Sequence, residues 1–261
     1  MVVNNKLGLT LSGGGFRGIA HLGIIQYLRE LEIEIGAISG ASAGALAGAF
    51  IAEGYTPEEI LGFTKKESFF SYSNISPRNG GLFSTDIFVK IIQKYIPHDS
   101  FEGLKIPLFV SVSDLTNAES LIFNQGSLSF AIKASCCFPL VFHPVPYKNN
   151  SFLCDGGIMN NFPVEQIKAT CFKSIGVNIS PIDVMEGKPG YKDIIQRIIR
   201  IMTSSIKSNS AHTCDVYLEP HEINQFNTFE VKKLDEIFEF GYEYAKKYRE
   251  EFLKIKEELE N

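Results

Sequence analysis

Gly40-Ala41-Ser42-Ala43-Gly44 places a serine among residues small enough for a sharply folded chain. A hydroxyl that attacks a carbonyl must project from such a turn, and G-x-S-x-G between a strand and a helix provides it. The helix that begins there turns unpaired N–H groups and its positive end toward the serine, favouring a developing anion. Ser42 is therefore the candidate nucleophile, and acyl transfer the candidate chemistry. A second glycine turn, Gly13-Gly14-Gly15-Phe16-Arg17-Gly18, follows the apolar run 7–11. Consecutive glycines let backbone N–H groups approach a tetrahedral intermediate without side-chain obstruction, as an oxyanion hole requires.

Written loosely, the same turn is G-x-G-x-x-G, the phosphate-binding fingerprint of dinucleotide folds. That use needs an acidic residue at the end of the second strand, to hold ribose hydroxyls. Here the second strand ends Ile38-Ser39-Gly40-Ala41-Ser42, without an acid, and no Gly-Lys-Ser/Thr loop occurs in the chain. The oxyanion reading is the better one. Neighbouring parallel strands bring both glycine turns to one sheet edge, donors beside serine.

A serine hydroxyl needs a base. Asp155 ends a short apolar strand and is followed by Gly156-Gly157, the setting of a strand-end carboxylate. The five histidines, His21, His98, His143, His212 and His221, sit in no recognisable motif. A Ser-Asp-His order using His212 or His221 stays open. Arg17 is either a contact for a substrate phosphate or a structural clasp on the glycine turn.

The elements that must position these groups follow from periodicity. Strands are predicted at 7–11, 33–38, 108–113, 121–124, 152–154 and 175–179, and helices at 19–31, 45–52, 85–95 and 127–137. Thr56-Pro57-Glu58-Glu59 opens a further helix with a capping box. Residues 68–81 read as a polar surface loop. Its Phe69, Phe70 and Tyr72, with Phe63, either flank an acyl-chain entrance or pack in the core. Near the C-terminus, Ile194, Ile195, Ile198, Ile199 and Met202 form one apolar helical face. Leu234, Phe238, Gly241, Ala245, Tyr248, Phe252, Ile255 and Leu259 form a longer stripe, predicting one long helix. That helix lies on the sheet or forms the seam of a homodimer. Alternating strands and helices imply a parallel sheet with crossover helices, a three-layer α/β/α fold with a mainly parallel central sheet.

Composition bounds the rest. With 261 residues, 44% apolar and 21% charged, the chain reads as a single globular domain over 1–261. A net charge of −5 argues against nucleic acid, which demands clustered cations. Five cysteines, two of them the adjacent Cys136-Cys137, show neither a disulfide framework nor metal-ligand spacing. A reducing, cytoplasmic setting is the simpler reading, and the start, Met1 to Lys6, is too short and polar for a secretory signal. The uncharged stretch 35–52, with a glycine at every fourth position from Gly36 to Gly48, mimics a membrane span. Its alanine content and its central Ser39 and Ser42 favour strand, turn and helix instead.

Taken together, Ser12-Gly-Gly-Gly-Phe-Arg-Gly18, Gly40-Ala-Ser-Ala-Gly44 and Asp155-Gly156-Gly157, in that order, resemble the patatin-like phospholipases. The segments Lys133-Ala-Ser-Cys-Cys-Phe-Pro139 and Phe142-His-Pro-Val145 are similar to the family's sequence before its aspartate. The resemblance covers roughly residues 7 to 180; the helical closure at about 190–261 carries no matching motif. It implies a Ser-Asp dyad without histidine, Ser42 as nucleophile and Asp155 as base. It implies Gly13, Gly14 and Gly15 as oxyanion donors, supported by Arg17, Gly18, Gly40, Gly44, Gly156 and Gly157. It also implies a lipid ester as substrate, met at a membrane or micelle surface by a peripheral protein, with no metal or other cofactor. Two other readings stand beside it: an esterase with a Ser-Asp-His triad, and a non-catalytic lipid-binding or regulatory protein that keeps the fold.

Overall fold

The computed structural model describes residues 4–67, 75–78, 81–139, 141–185, 187–190, 194, 197–198, 201, 213–228 and 231–261. Strand β1 (Asn4–Leu11) has both faces covered. Leu7, Leu9 and Leu11 are fully buried in the main core, while Gly8 faces the other way. A methyl group on Gly8 would lie 2.2 Å from Ile167, so this face is covered at close range by the short helix α7 (Val164–Lys168). Burial on both faces is what a central strand of a parallel sheet requires. Its parallel neighbours are β2 (Ile35–Ala41) and β9 (Cys171–Val177). Beyond them, β10 (Val216–Leu218) pairs parallel with β9, and β5 (Leu108–Asp114) parallel with β2. Helices on both sides complete the three-layer architecture.

Two strands run against this direction, β6 (Glu119–Phe123) and β8 (Phe152–Asp155), both paired with β5, while β7 (Val145–Pro146) pairs antiparallel with β8 and so runs with the parallel strands. A small hairpin, β3 (Ile75–Arg78) and β4 (Gly81–Phe83), replaces part of the loop expected at 68–81. Phe69, Phe70 and Tyr72 lie outside the described residues.

Strand β2 runs three residues further than the expected 33–38, up to the residue before Ser42. Ser39 does not break it, because its hydroxyl meets that of Thr10 on the neighbouring strand at 3.1 Å inside the sheet. Helix α2 (Ala43–Glu53) follows at once. The uncharged stretch is thus a strand, an elbow and a helix. No helix among the described residues is long and apolar enough to cross a membrane.

Helix α1 (Ile19–Glu30) leads from the first glycine turn. The capping box of α3 (Pro57–Lys66) forms: Glu59 N–H donates to Thr56 Oγ1 at 3.2 Å, and Thr56 N–H to Glu59 Oε2 at 2.8 Å. Helices α4 (Asp86–Tyr95), α5 (Leu128–Ser135) and α6 (Gly157–Asn160) complete the site's surroundings.

The long C-terminal helix is in fact two, α8 (Leu234–Lys246) and α9 (Arg249–Glu260), because Tyr248 leaves helical geometry at φ −107°, ψ 20°. Helix α8 lies over α1 rather than directly on the sheet. The backbones meet where side chains are absent: a methyl on Gly23 would sit 2.1 Å from the Phe238 carbonyl oxygen, and one on Gly241 2.1 Å from that of Ala20. The stripe continues into α9 as Phe252 and Ile255, both buried, with Phe252 against Tyr27. Much of the stripe is thus spent on packing within this chain. Of the shorter apolar face, Ile195, Ile199 and Met202 lie outside the described residues, and Ile194 and Ile198 are exposed.

Candidate active site

Ser42 occupies the junction of β2 and α2 with φ 50° and ψ −121°, a conformation that residues other than glycine rarely adopt. The flanking glycines are what the turn tolerates. A methyl on Gly44 would lie 2.3 Å from the Leu11 carbonyl oxygen, and one on Gly40 2.6 Å from the Gly44 backbone. The elbow is clamped from below: Ser42 N–H donates to Ser135 Oγ at 2.8 Å, and the Ser135 hydroxyl donates to the Ser111 carbonyl at 2.7 Å.

Asp155 reaches the serine through the sheet. Strand β6 covers one edge of β5 from Val110 to Asp114, so β2 and β8 must share the other edge. On it, β2 ends with Ala41 opposite Ser111, and β8, running the opposite way, ends with Asp155 opposite Val112. The two strands meet end to end. Ser42 Oγ donates to Asp155 Oδ2 at 2.7 Å, and Gly157 N–H donates to Asp155 Oδ1 at 2.8 Å. Asp155 is 3% exposed. Burial pushes its carboxyl up to about 6, against the opposing pull of the hydrogen bonds from Ser42 and Gly157.

The first glycine turn is strapped at several points. The Ser180 hydroxyl donates to the Gly13 carbonyl at 2.7 Å, and Ile179 N–H to Ser12 Oγ at 2.9 Å. His21 Nε2 donates to the Ser12 carbonyl at 2.8 Å. Since that oxygen only accepts, the proton is on Nε2, and burial holds this imidazole neutral with its pKa lowered to about 4. Gly18 closes the turn against Ala43. Gly15 adopts φ +62°, and a methyl there would sit 2.4 Å from the Thr228 carbonyl oxygen, which accepts Phe16 N–H at 2.9 Å. Arg17 is buried; its Nε donates to the Phe226 carbonyl and a terminal nitrogen to Asn224 Oδ1, both at 2.9 Å. It clasps the glycine turn to the segment after β10 and also lines the cavity beside Ser42.

The expected donors divide into two kinds. The Gly14 and Gly15 amides donate to no acceptor among the described residues. The Gly13 amide is already engaged: it donates to Asn161 Oδ1 at 2.9 Å. Two of the histidines pair with carboxylates other than Asp155. His221 Nδ1 contacts Asp183 at 2.5 Å and His98 Nε2 contacts Glu53 at 2.9 Å, while His212 lies outside the described residues.

Beside Ser42 and Asp155 opens a cavity of about 470 Å³. Helix α2 presents Ala43, Leu46, Ala47 and Phe50 to it, one face at the spacing of a helical stripe that begins next to the serine. Phe63 and Ile60 of α3 and Phe88 and Ile91 of α4 continue the apolar wall. Phe63 both lines the cavity and packs against Phe50, Tyr55 and Tyr95.

Sequence reading missed Ser135, Ser111 and Asn161. Ser135 lies within the quoted segment 133–139 without its role being legible there. Asn161 follows the Asp-Gly-Gly motif at a distance where no local pattern marks it.

Serine elbows of this kind belong to a class of α/β proteins with a mainly parallel sheet, and this chain is one of them. Residues 9–168 match the family model for Patatin-like phospholipase, and the chain belongs to that family. It is 28% identical to Lysophospholipase NTE1 of Meyerozyma guilliermondii, over 93% of this chain and 19% of that protein. It is 26% identical to Patatin-like phospholipase domain-containing protein 7 of Mus musculus, over 94% of this chain and 21% of that protein. The chain thus spans about a fifth of the length of these relatives. The crystal structure of VipD from Legionella pneumophila superposes with a TM-score of 0.54 at 15% identity, covering 94% of this chain and 66% of that one. At that identity the likeness is one of fold.

Proposed function

We propose that this chain hydrolyses fatty-acyl esters of phospholipids or lysophospholipids through an acyl-enzyme on Ser42, with Asp155 as the base. The observation that carries the reading is the direct 2.7 Å contact between Ser42 Oγ and a buried Asp155, at the mouth of an apolar cavity. The Asp155 carboxyl, lifted to about 6, is a stronger base than an ordinary aspartate yet still ionised at neutral pH. As Ser42 Oγ attacks the ester carbonyl, its proton passes to Asp155 Oδ2. Glycine-turn amides receive the oxyanion. Collapse of the intermediate breaks the ester C–O bond, and the Asp155 proton passes to the leaving alcohol. Water then gives a proton to Asp155 while attacking the acyl-enzyme, and fatty acid leaves with the serine hydroxyl restored.

The acyl chain lies along Leu46, Ala47 and Phe50, and the head group remains toward the polar rim at Ser180 and Asn224–Thr228. The names of the lysophospholipase relatives favour a phospholipid or lysophospholipid over a soluble ester. The five cysteines, all free, suit a reducing cytoplasm from which the protein meets a membrane surface.

A fluorophosphonate tests this directly. It labels the wild-type chain at Ser42, located by peptide mass, and labelling and lysophospholipid hydrolysis are both lost in Ser42→Ala and in Asp155→Asn at unchanged circular dichroism. Hydrolysis surviving in Ser42→Ala refutes the nucleophile. Lipid binding without labelling or turnover in the wild type favours the non-catalytic reading.

A further inference from the structure

Asn161 is almost completely buried, 4% exposed, yet it borders the cavity that holds the nucleophile. It follows the four-residue helix α6, whose first residue, Gly157, donates to Asp155. That single turn of helix brings residue 161 back between the two glycine-bearing segments. A methyl on Gly13 would lie 2.6 Å from Asn161 Oδ1 and 3.0 Å from Ser42 Cβ, so amide and nucleophile flank one point. A methyl on Gly157 would lie 2.9 Å from Asn161 Oδ1 and 3.0 Å from Asp155 Oδ1. The carboxamide therefore stands beside both members of the candidate dyad.

Its orientation is fixed by chemistry. Gly13 N–H can only donate, so the carboxamide atom it meets at 2.9 Å is the oxygen. The planar group then carries its two Nδ2 protons on its other branch, and they meet no acceptor among the described residues. A buried side chain that anchors its acceptor and keeps its donors unspent beside a nucleophile is what stabilising a transient anion demands.

We propose that Asn161 Nδ2 is an oxyanion donor, acting with the Gly14 and Gly15 amides, and that the Gly13 amide serves to aim it. The assignment rests on Ser42 being the nucleophile. It adds one side-chain donor to the backbone pair, and a division of labour within the three glycines: two stabilise charge and one positions the carboxamide.

The test compares Asn161→Asp and Asn161→Ala with wild type and Ser42→Ala, using a p-nitrophenyl butyrate assay from pH 5 to 9 and fluorophosphonate labelling. Asn161→Asp is nearly isosteric and still accepts from Gly13 but lacks the donor; Asn161→Ala lacks both. A second carboxylate next to Asp155 moves the acid limb upward, so rates are compared on the alkaline plateau. Loss of one oxyanion donor predicts a fall in kcat of about 10² to 10³ for both variants, with KM changed far less. Phosphonate labelling slows in parallel, because the adduct carries the same oxygen. If Asn161→Asp keeps plateau kcat and labelling near wild type while Asn161→Ala loses them, Asn161 only positions the loop and the donor assignment falls. Should Asn161→Ala fail to fold, the isosteric Asn161→Asp still decides. Persistent turnover in Ser42→Ala overturns the assignment together with the reading beneath it, and is recognised by that variant alone.

Discussion

Ser42 and Asp155 meet because the strands that carry them approach head to head along one edge of β5, Ala41 opposite Ser111 and Asp155 opposite Val112. A parallel strand followed by an elbow delivers the hydroxyl, and an antiparallel strand coming the other way delivers the carboxylate. Neither group depends on a mobile loop for its position. The resulting 2.7 Å contact is part of the sheet's own register, and its consequences are testable through Asp155.

The carboxylate must be ionised to take the serine proton. With its pKa raised to about 6, the active form is lost as pH falls through that value and complete well above it. The profile of kcat/KM against pH is expected to show an acid limb near 6, unmoved in His221→Asn, whose imidazole pairs with Asp183. A rate that stays flat down to pH 4.5, or a limb that vanishes in the histidine variant, contradicts Asp155 as the base.

The same burial makes Asp155 a cost to the fold. A carboxyl whose folded pKa lies above its ordinary 3.8 binds more protons folded than unfolded, so its relative contribution is greatest below 3.8 and is lost as pH rises through about 6. Asp155→Asn removes the charge and keeps the shape. It is expected to stabilise the protein by about 1–3 kcal/mol at pH 8 and by little at pH 4. Urea unfolding at both pH values checks the difference, and equal or opposite shifts would show that the charge is not what burial penalises.

Both glycine turns, the elbow serine and the strand-end aspartate were legible because each is a local pattern with a local physical cause. So was the parallel pairing of β1 with β2, from the spacing of strand and helix. What was not legible depended on distant partners. Thr10, one strand away, lets Ser39 remain in β2. The break at Tyr248 leaves the apolar stripe's spacing unchanged, so periodicity alone joins α8 to α9. Asn161 and Ser135 acquire their roles only when Gly13 and Ser42 arrive beside them. Arg17 offered two uses, and only Phe226 and Asn224, some two hundred residues away, show which contacts it makes.

The cavity wall gives a prediction about chain length. Ala47 lies on the α2 face that runs from the serine toward Phe50, and its small side chain leaves the acyl path open. Ala47→Phe is expected to fill that path beyond the first few carbons. The ratio of kcat/KM for a long-chain over a butyryl ester should then fall roughly tenfold or more, within the range for adding or removing methylenes in an apolar pocket. Butyrate turnover itself should persist. A uniform loss for both esters would place the acyl chain elsewhere.

The glycine turn gives the last prediction, since it separates an oxyanion loop from a mere structural turn. At Gly15 the backbone has φ +62°, and a methyl group would lie 2.4 Å from the Thr228 carbonyl, a backbone atom that cannot swing aside. Gly15→Ala must therefore shift the turn, moving the unspent Gly14 and Gly15 amides away from the intermediate. A fall in kcat of about 10² to 10³ is expected, with substrate binding less affected and phosphonate labelling slowed alike. Strain alone has a control in the same molecule. Gly126 has φ +79° with open space around its would-be methyl, and it lies outside the cavity. Gly126→Ala pays the left-handed penalty of about 1–2 kcal/mol without a clash, so it lowers thermal stability while kcat stays near wild type. If Gly15→Ala loses only stability, as Gly126→Ala does, and keeps its turnover and labelling rate, the amides of this turn do not hold the oxyanion.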